Sequence, residues 1–228
     1  MTETILFDND GVLVDTERVF FESNREMMKK FGRDLDEAEF SRMSMSRGLS
    51  LADLIVSLGY TREEAEAARQ KRNLMYDRML LERGGSLVID GVREVLAELH
   101  GRFRIGVVTC CQKMHFRTIH EASGLAPYFD FVVGDWDFTH HKPHPEPYLK
   151  ALERAGCSAA QTVAVEDSER GILSARAAGL RAYAIPRGLS LHGNFDSATG
   201  RFADIRDFCA FLNSFPASGE EIRNVVAV

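Results

Sequence analysis

The chain lacks the long apolar runs of a membrane protein and the basic excess of a nucleic-acid-binding protein. Across 228 residues, no apolar run approaches the roughly 20 residues that a membrane helix needs. Lys and Arg number 28 against 34 Asp and Glu, so the formal net charge is -6. Nucleic-acid binding normally requires a broad positive field, and this balance of charges argues against one. We therefore expect neither a nucleic acid nor a membrane among its partners.

Cysteine is also scarce, and its placement argues against a disulfide framework. Of the four cysteines, Cys110 and Cys111 are adjacent, while Cys157 and Cys209 are isolated in apolar contexts. Reduced thiols in a cytoplasmic protein are the simpler interpretation. The first predicted strand begins almost at Met1, so we expect no cleavable signal peptide. With 45% hydrophobic residues, the composition is that of an ordinary globular protein with ample core.

The hydrophobic pattern changes character along the chain. Residues 16–86 have helical spacing and no strand signal, and Thr61 with Glu64 forms a capping-box pattern inside this block. Beyond it, short apolar runs alternate with amphipathic helices, which indicates a parallel sheet with helices on both faces. The predicted strands are 4–7, 103–109, 131–133, 162–165 and 181–185. The predicted helices are 16–31, 36–45, 49–58, 61–81, 92–100, 113–123, 145–155, 168–178 and 205–212.

This pattern predicts an α/β fold with a Rossmann-like parallel sheet and an inserted all-helical cap domain. The core (catalytic) domain comprises residues 1–15 and 87–214, and the cap comprises residues 16–86. Residues 187–200 form a looser stretch. The tail, residues 215–228, has no strong pattern and is predicted to be partly disordered.

An acidic turn follows the first predicted strand. Asp8 and Asp10 are two residues apart, so on extended backbone they project to the same side, and Gly11 then permits a turn. Two such acids repel each other unless they share a cation or a proton. This favours a hard divalent ion bound through oxygen, or an acid poised for proton transfer. Taken alone, the stretch also fits a solvated loop that caps a helix.

Three further polar signals follow later strands. Thr109 is suited to holding phosphate oxygens, Lys142 is a cation able to neutralise a phosphoryl group, and Glu166-Asp167 is a second acidic cluster. Singly, they also fit a strand-end hydroxyl, a solvated charge and acids that favour a helix dipole. The parallel topology would bring all of them to one edge of the sheet, where open α/β sheets bind ligands.

In their order and spacing, these motifs resemble those of the haloacid dehalogenase superfamily, in its phosphatase branch with a helical cap, close to β-phosphoglucomutase-like members. The resemblance covers residues 5–212 and implies that Asp8 is a nucleophile that becomes an aspartyl-phosphate. It implies that Asp10 protonates the leaving alcohol and then activates water. Dehalogenating members lack this second acid, so dehalogenation is disfavoured.

The resemblance also implies a magnesium site and a phosphate-binding set. Mg²⁺ would be bound by Asp8, the backbone carbonyl of Asp10 and Asp167, with Glu166 in or next to its shell. Thr109 and Lys142 would hold the phosphoryl oxygens, and the predicted substrate-binding set also includes Asn9 and, in the cap, Arg47. Cys110 is added because it follows Thr109, although small-residue packing is the alternative. Arg47 aligns with a cap arginine that binds the remote part of the substrate in sugar-phosphate members. A helix-end charge is the alternative reading of Arg47.

These observations lead to the expectation of a Mg²⁺-dependent phosphatase, acting as a monomer on a small phosphorylated metabolite, most simply a sugar or polyol phosphate. The alternative is a phosphosugar mutase, although mutase members carry a histidine where this chain has Phe20. A phospho-acceptor signalling module is a distant third. His140, His141 and His144 suggest a soft-metal site, but a polar loop beside Lys142 is the simpler interpretation.

Overall fold

The computed structural model of the protein describes residues 2–46 and 48–214. Arg47 and the tail, residues 215–228, lie outside the described residues, as do the predictions made for them. Among the described elements, no helix combines the length and the apolar character needed to cross a membrane.

A parallel sheet forms the centre of the fold, with strand order β3-β2-β1-β4-β5-β6. The neighbouring strands are parallel throughout. The strands are β1 (Thr4–Phe7), β2 (Arg104–Val108), β3 (Phe131–Val133), β4 (Thr162–Glu166), β5 (Arg181–Ala184) and β6 (Gly200–Arg201). β1 is flanked by β2 and β4, which makes its carboxyl end the switch point at which the strand order reverses. The predicted α/β fold is confirmed.

Helices cover both faces of the sheet. Alternate residues of β1 point to opposite faces, and each set packs against different helices. Ile5 and Phe7 belong to one buried cluster, which includes residues of the fifth, sixth and ninth helices. Leu6 belongs to a second cluster with the seventh and eighth helices. These helices are α5 (Val92–Leu99), α6 (Lys113–Ser123), α7 (Glu146–Ala155), α8 (Glu169–Ala177) and α9 (Ile205–Asn213).

The segment between β1 and α5 contains helices and no described strand of the sheet. Its helices are α1 (Thr16–Lys29), α2 (Glu37–Phe40), a turn of π-helix (Ser41–Ser46), α3 (Leu51–Ser57), α4 (Arg62–Arg83) and a 3-10 helix (Gly84–Leu87). A third apolar cluster, including Phe21, Met28 and Ile55, lies within this segment and contacts the rest of the chain at Leu189. The helical insertion therefore has an apolar core largely of its own.

Candidate active site

The turn after β1 places Asp8 at the carboxyl edge of the sheet. Its backbone N–H donates to the carbonyl of Val165 on β4 at 2.9 Å, so the turn starts in register with the neighbouring strand. Gly11 then adopts a φ of 83°. A Cβ atom at Gly11 would lie 2.2 Å from Asp167 Oδ2. Only glycine satisfies both the left-handed backbone and this close approach.

Lys142 joins the acids of two different strands. Its Nζ donates to Asp8 Oδ1 at 2.7 Å, to Glu166 Oε1 at 2.7 Å and to the carbonyl of Val108 at 2.8 Å. The residue is only 6% exposed, and the Tyr148 hydroxyl donates to the same Glu166 oxygen at 2.6 Å. Burial alone would lower the pKa of Lys142, but Asp8 and Glu166 outweigh burial and raise it. Lys142 is therefore a buried cation in contact with Asp8.

Asp8, Glu166 and Asp167 form a cluster that fits a hard divalent cation. One carboxylate oxygen from each lies within 4.8 Å of the others, and Asp167 Oδ2 is buried without a hydrogen-bond partner among the described residues. Burial, followed by the charge of Glu166, raises the pKa of Asp167 to about 7. Burial also raises the pKa of Asp8, partly opposed by Lys142. An all-oxygen set with surplus negative charge is the environment that Mg²⁺ prefers.

Asp10 is held by two hydroxyl groups. Thr109 Oγ1 donates to Asp10 Oδ2 at 3.0 Å, and Thr16 Oγ1 donates to the other carboxylate oxygen. Thr109 itself is fully buried, and its Oγ1 also accepts from the backbone N–H of Cys111 at 3.0 Å. The Thr109 hydroxyl thus orients Asp10, and its predicted contact with phosphate stays a prediction.

The Asn9 side chain turns away from the pocket, and the predicted role of Asn9 in phosphate binding stays a prediction. Asn9 is fully buried between its two acidic neighbours, and its Oδ1 lies 2.8 Å from His120 Nε2 in the interior. It is absent from the described pocket lining. The physical reason is the alternation of side chains along extended backbone, which turns the middle residue away from Asp8 and Asp10. Burial lowers the pKa of His120 to about 4, so this contact is made by a neutral imidazole.

Helices of the insertion lie over the carboxyl edge of the sheet, and the two together line a pocket of about 370 Å³. Asp8, Asp10 and Lys142 lie in its lining, together with Cys110, whose thiol pKa is raised by burial. The lining from the insertion consists of Thr16, Glu17, Phe20, Phe40, Ser44, Arg69, Arg72, Asn73 and Tyr76. Arg47 lies outside the described residues, whereas Ser44 of the same segment reaches the pocket.

Sequence reasoning did not identify several residues of this site. Glu17 lines the pocket, and burial, followed by the charge of Asp167, raises its pKa. Arg170 lines the pocket and donates to the backbone carbonyl of Lys142. In the sequence, Glu17 and Arg170 both look like solvated helix charges. Only their positions, two residues after Asp15 and three residues after Asp167, could have drawn attention to them.

The three histidines around Lys142 do not act as one group. His141 Nε2 lies 2.7 Å from an oxygen of Asp135, and His141 lines the pocket. His140, His144 and Glu146 place possible ligand atoms within 4.8 Å of one another at the surface. Glu146 is already engaged, because it accepts from the backbone N–H groups of Thr139 and His140. These contacts are those of a hydrogen-bonded polar loop.

Comparison with known proteins identifies the class of this site. The family model for haloacid dehalogenase-like hydrolases matches residues 5–185. The probable phosphatase IndB of Dickeya dadantii is 31% identical over 191 residues, 83% of each chain. The fructose-1-phosphate phosphatase YqaB of Escherichia coli is 30% identical over 178 residues, 78% of this chain and 93% of its own. These matches define a phosphoric monoester hydrolase.

More particularly, the chain belongs to the haloacid dehalogenase-like hydrolase family and is a phosphatase of that family. The fold agrees with this assignment. The β-phosphoglucomutase of Clostridium difficile superimposes with a TM-score of 0.76 at 19% identity, covering 94% of this chain and 96% of that one. The predicted family and enzyme class are therefore confirmed.

Proposed function

We propose that the protein is a Mg²⁺-dependent phosphatase that hydrolyses a small sugar or polyol phosphate through an aspartyl-phosphate on Asp8. The observation that carries the proposal is the contact of Lys142 Nζ with Asp8 Oδ1 at 2.7 Å, beside the Asp8, Glu166 and Asp167 cluster. The names of two relatives, a fructose-1-phosphate phosphatase and a phosphorylated carbohydrates phosphatase, support the substrate class.

In the first step, a carboxylate oxygen of Asp8 attacks phosphorus, and the bond from phosphorus to the leaving oxygen breaks. The leaving oxygen takes a proton from Asp10, which requires Asp10 to be protonated at this stage. Lys142 offsets the repulsion between the carboxylate and the phosphate and stabilises charge on the transferred group. The two hydroxyls that hold Asp10 keep its carboxyl group directed at the pocket.

In the second step, water attacks phosphorus, loses a proton to Asp10, and the bond from phosphorus to the Asp8 oxygen breaks. Inorganic phosphate leaves, and both acids return to their starting states. Bound Mg²⁺ would be held by Asp8, Asp167 and the Asp10 carbonyl, and would supply positive charge that offsets the negative charge of the phosphoryl group. The proposal includes a cytoplasmic monomer whose partner is a small phosphorylated metabolite.

Phe20 favours hydrolysis over phosphoryl transfer between sugars. Its ring lines the pocket from α1 and contacts Tyr76, with ring centroids 5.3 Å apart. A phenyl ring cannot exchange protons, whereas the mutase members that this chain resembles place a histidine here. Product analysis with a sugar phosphate should give free phosphate and the dephosphorylated sugar, without an isomeric sugar phosphate.

Hydrolysis of a generic aryl phosphate, with and without Mg²⁺, tests the proposal. Turnover should require Mg²⁺, and Asp8→Asn should reduce it by about three orders of magnitude or more, because the nucleophile is lost. Asp90→Asn is the matched control, since Asp90 is an exposed acid paired with Arg206 at 3.0 Å. Equal turnover by Asp8→Asn and wild type would refute the mechanism.

A further inference from the structure

A buried arginine in the pocket wall has no ion-pair partner among the described residues. Arg72 on α4 is 6% exposed and lines the same pocket as Asp8 and Lys142. Its Nε is buried without a hydrogen-bond partner in the part of the chain that the structure describes. Its guanidinium carbon lies 4.2 Å from the centroid of the Phe20 ring.

The other cationic side chains of the pocket differ from Arg72 in this respect. Arg69 donates to Glu66 at 2.6 Å, and Arg170 donates to a backbone carbonyl. His115 lies 2.6 Å from an oxygen of Asp77. With Lys142 and His141 also engaged, Arg72 is the exception within the described lining.

A charge in this position needs an explanation, because an unpaired ion loses solvation on burial. Burial lowers the pKa of Arg72 to about 10, so the guanidinium remains charged at neutral pH. The face of Phe20 offers a cation–π contact that compensates for part of the lost hydration. Against burial, the charges of Tyr76 and Asp77 act to raise the pKa of Arg72, and Asp77 Oδ1 lies 2.6 Å from His115 Nε2. The guanidinium keeps donors free for a ligand, and their planar arrangement matches a carboxylate or a phosphate.

We propose that Arg72 forms a second anion-binding site in this pocket, so that the preferred substrate carries a carboxylate or a second phosphate besides the phosphate that Asp8 attacks. This inference rests on the proposed function. The pocket of about 370 Å³ is near the lower end of the range for small-molecule sites, which suits a short carbon chain between the two anions. The Asn73 amide, next in sequence and also in the lining, is available to a hydroxyl of that chain.

Matched pairs of substrates test the proposal, because each pair differs only in the second anion. Two pairs compare a carboxylate with a hydroxymethyl group: 3-phosphoglycerate against glycerol 3-phosphate, and 6-phosphogluconate against sorbitol 6-phosphate. A third compares a second phosphate with a hydroxyl: fructose 1,6-bisphosphate against fructose 6-phosphate. We expect kcat/KM to favour the anionic member of at least one pair by about tenfold to a hundredfold, the range for a hydrogen bond to a charged group. The pair that shows the preference identifies which anion the site takes.

Variants separate binding from packing. Arg72→Met keeps an unbranched side chain over Phe20 and removes the charge, so the preference ratio should collapse towards one, mainly through a higher KM for the anionic member. Arg72→Lys should restore part of the ratio. Arg78→Met, on the same helix at an exposed residue paired with Glu82, should keep the wild-type ratio. A thermal melt of each variant separates loss of folding from loss of binding.

The two proposals fail in different ways. If the wild-type protein does not hydrolyse an aryl phosphate, the proposed function is wrong. If it hydrolyses the aryl phosphate but prefers the anionic member of no pair, or turns over no member of any pair, the Arg72 proposal is overturned. A ratio that survives Arg72→Met in a folded variant also overturns it.

Discussion

Replacing Lys142 with methionine would leave two buried acids, Asp8 and Glu166, without the cation that pairs with them. Its Nζ lies 2.7 Å from oxygens of both Asp8 and Glu166, and the Glu166 side chain has no exposed area. At an effective dielectric of about 20, each contact corresponds to a gross attraction of about 6 kcal/mol. Most of this offsets the desolvation of the three groups. Breaking a buried pair by removing one partner costs about 3–5 kcal/mol of unfolding free energy.

Activity should fall together with stability. Lys142 is the group that lowers the pKa of Asp8 against the raising effect of burial. Without the lysine, Asp8 is driven towards its protonated form, which cannot attack phosphorus. The variant also loses a cation directed at the transferred phosphoryl group, and such a loss costs about a hundredfold to a thousandfold in kcat.

Chemical denaturation in the presence of a chelator and aryl phosphate kinetics with saturating Mg²⁺ give the two magnitudes. The double variant Lys142→Met with Glu166→Gln should recover part of the lost stability, because the unpaired Glu166 carboxylate is replaced by a neutral amide. Lys150→Met is the matched control, since Lys150 is an exposed lysine on α7 paired with Glu153. A change below about 1 kcal/mol in unfolding free energy with kcat within tenfold of wild type would show that the reasoning from burial is wrong.

Two further predictions concern the acids around the proposed metal site. Burial raises the pKa of Asp167 from its ordinary 3.8 to about 7, so this group makes the metal-free protein less stable as pH rises through that interval. Because Mg²⁺ binds the ionised carboxylate, the increase in melting temperature on adding Mg²⁺ should be larger at pH 8 than at pH 6, and Asp167→Asn should remove the difference; equal increases in wild type would contradict this. A Cβ at Gly171 would lie 1.9 Å from Glu166 Oε2, so Gly171→Ala should lower the unfolding free energy by about 1–3 kcal/mol and reduce turnover by displacing that acid, whereas an unchanged denaturation midpoint would count against the close packing.

Most of the regular elements were predictable because their signals are local. The strand at Thr4–Phe7 and the helix at Lys113–Ser123 have the predicted bounds. The capping box of α4 is also present, with Glu64 N–H donating to Thr61 Oγ1 at 3.2 Å and Thr61 N–H donating to the Glu64 carboxylate at 2.9 Å. Short apolar runs between turn residues and side chains that cap their own helix depend on few distant contacts.

The errors lie where distant contacts decide the backbone. The predicted helix 36–45 is a short α-helix, Glu37–Phe40, that continues as a turn of π-helix. There the Ser41 hydroxyl donates to the carbonyl of Leu189, a residue 148 positions away. The edge strand Gly200–Arg201 was missed at the end of the stretch 187–200 that was predicted to be loose, because two residues have no alternation to detect and β5 supplies the pairing.

The alternation of short apolar runs with amphipathic helices determined the fold class. The acids, the hydroxyl and the lysine that follow these runs indicated the edge of the sheet that would carry the chemistry, since the ends of parallel strands meet there whatever the details of packing. Tertiary structure decided what each side chain touches: it turned Asn9 towards His120, brought Glu17 beside Asp167 and buried Arg72 against Phe20. The physical reason is the distance along the chain over which each kind of interaction acts. Periodicity and turn chemistry act over a few residues, whereas the burial and pairing of a charge depend on side chains that the chain brings together from distant positions.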